Sequence, residues 1–183
     1  KKEKAPVFQI LKYKDKIEKL IKSLPFTLTN AQDKALNDIY KDLSSPTPMN
    51  RLLEGDVGSG KTVVAAISMY AAFLNGFQSV FMAPTEILAN KHFEVVSKLL
   101  NPLGVHVGLS TGSKKTKSEK KYDILIGTHA LLGTKQTLDA VGLVIIDEQQ
   151  RFGVAQRGIL RNKGKSPHFL TMTATPIPRT VFL

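Results

Sequence analysis

Gly55-Asp56-Val57-Gly58-Ser59-Gly60-Lys61-Thr62 is the stretch on which the fold turns. It fits the pattern G-x-x-x-x-G-K-[ST] at every fixed position. Leu52-Leu53 before it reads as a short strand, and the apolar residues from Val63 onward read as a helix. Each residue type has a physical task. Glycines let the backbone curl until successive N–H groups point at phosphate oxygens, and the helix start adds the positive end of its dipole. Lys61 is spaced to reach β- and γ-phosphates, and Thr62 to offer its hydroxyl to Mg²⁺. The eight residues together read as a nucleoside triphosphate site.

Outward from this loop, short apolar runs alternate with helical stretches. The runs are Leu52-Leu53, Val80-Phe81-Met82, 105–109, Ile124-Leu125-Ile126, 143–146 and Phe169-Leu170, with helices over 61–75, 86–100 and about 154–161. Strands apolar at every position, not at every second one, belong in a parallel sheet covered on both faces. The rhythm predicts an α/β P-loop domain over 24–183, its sheet mostly parallel with helices on both faces. Residues 1–23 read as a basic linker and helix leading from an upstream region. Leu36, Ile39, Tyr40 and Leu43 mark a second helix, with Thr29 and Gln32 as its capping box. Pro176-Ile177-Pro178-Arg179 reads as a connection leading onward, and the chain as part of a longer protein.

A length of 183 residues with 42% hydrophobic and 22% charged is enough to bury one domain's core, which excludes a disordered tail or a collagen-like repeat. No apolar run approaches the ~18 residues of a membrane span, and Lys1-Lys2-Glu3-Lys4 lacks the apolar core of a signal peptide. With no cysteine there is no disulfide framework, and a cytosolic setting is the default. The net charge of +11 is concentrated: residues 1–22 carry +5 and residues 113–121 carry +4. Such a surplus favours polyanions, above all nucleic acid.

The loop needs an acidic partner at the end of another buried strand. Leu143-Val144-Ile145-Ile146-Asp147-Glu148 supplies it at the carboxyl edge, where ligands of α/β sheets bind. Asp147 is expected to hold Mg²⁺, mostly through water, and Glu148 to act as general base on the attacking water. Two acids in series favour hydrolysis over nucleotide storage. His92, His106 and His168 have no partners at ligand spacing and read as structural or surface residues.

Further strings narrow the class. Asp147-Glu148-Gln149-Gln150 resembles motif II of superfamily 2 helicases, Thr173-Ala174-Thr175 motif III, and Ala83-Pro84-Thr85-Glu86-Ile87-Leu88-Ala89 motif Ia. Gly127-Thr128-His129 resembles motif Ib, and Ser110-Thr111-Gly112 stands where those helicases carry a Thr-Gly element. The wording of 48–53, 55–62, 84–89, Arg151-Phe152-Gly153-Val154 and 172–180 is similar to the RecG family of bacterial, ATP-dependent, fork-remodelling helicases.

That resemblance implies the first RecA-like motor domain of a DNA helicase, with ATP and Mg²⁺ bound in a cleft that a second RecA-like domain closes. It implies Phe26 packed on adenine and Gln32 reading its edge, although one amide cannot readily serve both adenine and the helix cap. It implies DNA-backbone contacts from Thr85, Thr111, Gly112, Thr128 and His129, and coupling through Thr173, Ala174 and Thr175. Lys61, Asp147, Glu148 and Gln150 take the catalytic roles. Gln150 departs from the family's usual His, which puts the efficiency of coupling in question, since Gln does not titrate near neutrality. The implied partners are branched or forked DNA, and a second motor domain and DNA-reading wedge of the same protein; without them slow ATP turnover is expected. The competing readings are a transcription-repair coupling-type translocase, a nucleic-acid-binding ATP switch, and a basic nucleic-acid binder with a degenerate site.

Overall fold

The computed structural model describes residues 3–55, 60–117, 120–133, 138–147 and 166–174. Its sheet has six strands in the order β1-β6-β5-β2-β4-β3. They are β1 Asn50–Glu54, β2 Gln78–Met82, β3 Val107–Ser110, β4 Ile124–Gly127, β5 Val141–Asp147 and β6 His168–Thr173. Every pairing is parallel, so all six carboxyl ends lie along one edge. Strands β2 to β5 are buried at every residue, as continuous apolar runs require. The outermost strand β1 alternates between exposed and half-buried positions.

The helices are α1 Lys14–Ser23, α2 Asn30–Leu43, α3 Lys61–Leu74 and α4 Glu86–Leu100. Inward residues of α1 to α4 share one core with Phe81, Ile124, Ile126, Leu143, Ile145, Leu170 and Met172. The alternate residues of the same strands, Val80, Leu125, Val144, Ile146 and Phe169, form a second cluster with Tyr122 and Leu131. Val144 and Ile145 thus bury on opposite faces, which is why the run reads as apolar throughout. Position α3 explains its own composition. It packs against α1, α2, α4, β2 and β5, and residues 64–72 are all buried. Ala65, Ala66, Ala71 and Ala72 let those neighbours approach.

Residues ahead of α1 pack on the same body. Phe8 is 1% exposed, stacks on Phe77 at 5.3 Å and meets the His168 ring edge-on at 5.4 Å. Two boundaries differ from the sequence reading, and a 3-10 turn precedes α1. Leu11 points to solvent because it belongs to a 3-10 turn, Leu11–Tyr13, whose tighter period takes it off the inward face of α1. Strand β3 begins at Val107, because Val105 N–H donates to Leu100 O to close the turn after α4. Helix α3 ends at Leu74, and Asn75 closes it through bonds to Ala71 and Ala72. The helix expected over about 154–161 lies outside the described residues. Among the described residues no helix is long and apolar enough to cross a membrane.

Candidate functional site

Glycine is required at position 60 by backbone conformation. Its φ is +84°, and from there α3 starts, with Lys61 as the first helical residue. The Lys61 ammonium donates to Gly55 O at 2.8 Å and to Thr173 O at 2.9 Å. Gly55 N–H also donates to Thr173 O, at 3.2 Å. One cation therefore joins both ends of the phosphate loop to the last residue of β6, within the segment expected to couple nucleotide to DNA. Thr173 is nearly buried and Ala174 is exposed. Asp56, Val57, Gly58, Ser59, Glu148, Gln149, Gln150, Arg151, Thr175 and Arg179 lie outside the described residues.

The Gln32 amide has definite partners. Thr29 N–H donates to its Oε1 at 2.8 Å, and Gln32 N–H returns a bond to Thr29 Oγ1 at 3.1 Å, so the capping box of α2 is complete. Its Nε2 donates to Gly60 O at 3.3 Å. The side chain expected at the adenine edge thus caps α2 with one end and touches the phosphate loop with the other. Phe26 is 46% exposed between the buried Leu24 and Leu28, so its side chain is accessible from solvent.

Asp147 ends β5 and is 6% exposed. Its partner was not anticipated: His92 of α4, whose Nε2 lies 2.5 Å from Asp147 Oδ2. The His92 Nδ1 lies 3.4 Å from Thr62 Oγ1, and its ring stacks on Phe81 at 4.5 Å. A signal for it was present. The inward stripe of α4 is Ala89, His92, Val96 and Leu100, and a histidine on such a stripe demands a polar partner. Thr62 and Asp147 offer a hydroxyl and a carboxylate, hard oxygen donors of the kind Mg²⁺ takes. Among the described residues no group of three or more His, Cys, Asp or Glu could hold a metal.

The other half of the edge carries the expected DNA residues. Thr85 follows β2 and caps α4, its hydroxyl accepting from Leu88 N–H at 3.2 Å. Glu86 accepts from Ser113 N–H at 3.0 Å and Ser113 Oγ–H at 2.7 Å, holding the exposed Gly112 turn against α4. Thr128 and the exposed His129 follow β4. Thr111 departs from expectation. It is fully buried, and its hydroxyl takes part in the turn with Lys114, accepting from Lys114 N–H at 3.0 Å. The structure gives it the shaping of that turn, not a surface contact. His106 stacks on Tyr122, and buried His168 bonds Met49 N–H and Pro6 O, so both are structural, as the sequence suggested.

The chain is similar to known proteins in both sequence and fold. It is 53% identical over 176 residues to the ATP-dependent DNA helicase RecG of Bacillus subtilis and 49% identical over 195 residues to that of Aquifex aeolicus. These matches cover 91% and 100% of the chain but 26% and 24% of the relatives, so it spans about a quarter of their length. A solved RecG bound to a three-way DNA junction superposes with a TM-score of 0.82 at 43% identity, over 97% of this chain and 25% of that one. The sequence profile of DEAD/DEAH box helicases matches residues 29–182. With its phosphate loop, Asp147 and RecA-like parallel sheet, the chain belongs to the DEAD/DEAH box helicase family.

Proposed function

We propose that this chain is the ATP-hydrolysing motor domain of a RecG-type DNA helicase that remodels branched DNA in the bacterial cytoplasm. Residues 24–183 make the motor and residues 1–23 its basic lead-in. The supporting observation is the division of one sheet edge. The ends of β1, β6 and β5 gather Gly60, Lys61, Thr62, Thr173 and Asp147, while those of β2, β3 and β4 carry Thr85, Gly112, Thr128 and His129.

In this reading Phe26 stacks on adenine and Gln32 fixes the phosphate loop from α2. Lys61 exchanges its carbonyl partners for the β- and γ-phosphates, a charge-assisted and therefore stronger contact. Thr62, Asp147 and the phosphates would hold Mg²⁺, which would neutralise the charge that builds on the transferring group. Glu148 orients water for attack. Because Lys61 and Gly55 share the Thr173 carbonyl, moving the lysine releases that carbonyl from one of its two partners, at the residue that leads into Ala174 and Thr175. A second motor domain of the same protein would close on this edge and use that release to move DNA.

The test is ATP turnover by the full-length protein with forked DNA, linear duplex, single strands and RNA at one salt concentration. Forks should stimulate most, and Lys61→Ala should abolish turnover with each. Undiminished turnover in that variant would sink the nucleotide assignment. Equal rates with every nucleic acid would sink the fork assignment alone.

A further inference from the structure

We infer that His92 is a positioning residue for the magnesium pair, orienting the Thr62 hydroxyl and the Asp147 carboxylate at once. The inference rests on the reading of this edge as a nucleotide site. Its basis is one imidazole joined to both oxygen donors from a third element: α4 supplies the ring, α3 the hydroxyl and β5 the carboxylate.

Proton accounting gives the role. A carboxylate only accepts, so the 2.5 Å contact assigns the ring hydrogen to Nε2, which donates to Asp147 Oδ2. In the tautomer that carries its hydrogen there, Nδ1 keeps a lone pair 3.4 Å from the Thr62 hydroxyl, which would donate to it. That contact is at the long end of hydrogen bonding, as contacts of this kind often are before a ligand tightens them. A hydroxyl that ligates a cation must turn lone pairs to the ion and send its hydrogen elsewhere. The bare Nδ1 is where it goes. The same ring occupies Oδ2 of Asp147, so Oδ1 would be the oxygen offered to the ion or its water.

The ring itself has little freedom. It is 8% exposed and stacks on Phe81 at 4.5 Å with 22° between the planes, and Phe81 is fully buried in the central strand β2. A packed ring holds its two nitrogens in fixed directions, and partners of this kind typically govern metal affinity by about 10- to 100-fold.

The experiment uses the full-length protein and a fluorescent ATP analogue, titrated with Mg²⁺ and again in chelator. His92→Phe keeps a ring on Phe81 and removes both nitrogens. It should bind the analogue as the wild type does in chelator, yet need about 10-fold more Mg²⁺ to reach the magnesium-dependent affinity. His92→Gln restores a donor towards Asp147 and should recover part of that loss. An unchanged magnesium requirement in a folded His92→Phe protein overturns the assignment, as does equal loss with and without Mg²⁺. Nitrogen NMR of the wild type needs no variant. The ring should be protonated at Nε2 and bare at Nδ1, and the opposite tautomer overturns the inference by itself. Failure of the wild type to bind the analogue at all would overturn the nucleotide reading instead, and this inference with it.

Discussion

At position 60 backbone conformation and space make the same demand. The φ of +84° lies in the left-handed region, which costs an L-residue with a side chain roughly 1–2 kcal/mol. A Cβ there would also stand 2.0 Å from Gln32 Nε2, inside any permitted contact. Gly60→Ala should therefore weaken nucleotide binding by about tenfold or more, as well as lower the melting temperature. The two causes separate in a double-mutant cycle. Gln32→Ala removes the obstructing amide, so the double variant should lose less than the two single variants summed. Strict additivity, measured by urea denaturation and nucleotide titration, would show that Gln32 and Gly60 do not meet. The sequence made Gly60 legible because an eight-residue pattern specifies it. It did not make His92 legible as a site residue, since its meaning depends on Thr62 and Asp147, thirty and fifty-five positions away.

Elements were legible in proportion to their burial. β2, β4 and β5 are buried on both faces, so an apolar run of three or four residues sufficed to mark each. β1 showed only Leu52-Leu53, because an edge strand leaves Asn50, Arg51 and Glu54 facing water or paired laterally, as Arg51 is with Asp42 at 2.7 Å. The lead-in was misleading in texture. Its lysines signal a solvated linker, yet Phe8 is a core residue and Pro6 O meets His168 Nε2 at 2.6 Å. His168 joins three elements, since its Nδ1 accepts from Met49 N–H at 2.9 Å just ahead of β1. Burial pushes its pKa below 6.5, against smaller upward pulls from the Pro6 carbonyl and the Asp42 charge. The unfolded chain then binds the proton more readily. The stability His168 contributes is present above pH 6.5 and is lost as pH falls below it. Protonating Nδ1 would also set donor against donor at Met49. His168→Asn should be less stable than wild type near neutrality but should lose less between about pH 7.5 and about pH 5.5. Urea midpoints at the two pH values measure this, and parallel losses in the two proteins would refute it.

The whole molecule places two kinds of charge chemistry on one edge and keeps them apart. A parallel sheet brings every strand's carboxyl end together, and the order β1-β6-β5-β2-β4-β3 sorts those ends into a phosphate half and an outer half. Neither the edge nor its division follows from motif order along the chain, since β6 comes last in sequence yet lies between β1 and β5. Residues 113–117 of the basic cluster fall on the outer half, after β3. Exposed Lys114 and Lys115 flank the turn that Thr111 and Glu86 hold, and Lys117 follows it, also exposed. A fixed turn presents these charges as a patch beside Gly112 instead of as a loose tail. If the outer half tracks a phosphate backbone, each lysine that neutralises a phosphate releases a counterion, worth about 0.9 in the slope of log affinity against log salt for duplex DNA. Replacing Lys114, Lys115 and Lys117 together with Ala in the full-length protein should flatten that slope by up to about 3 and weaken binding to all sequences alike. Nucleotide affinity without DNA should stay as in the wild type, because those side chains lie on the other half of the edge. A salt slope unchanged by the triple substitution would assign the cluster to solvation. A parallel loss of nucleotide affinity would mean that the two halves are not independent, and that the turn after β3 supports α4 and, through it, His92.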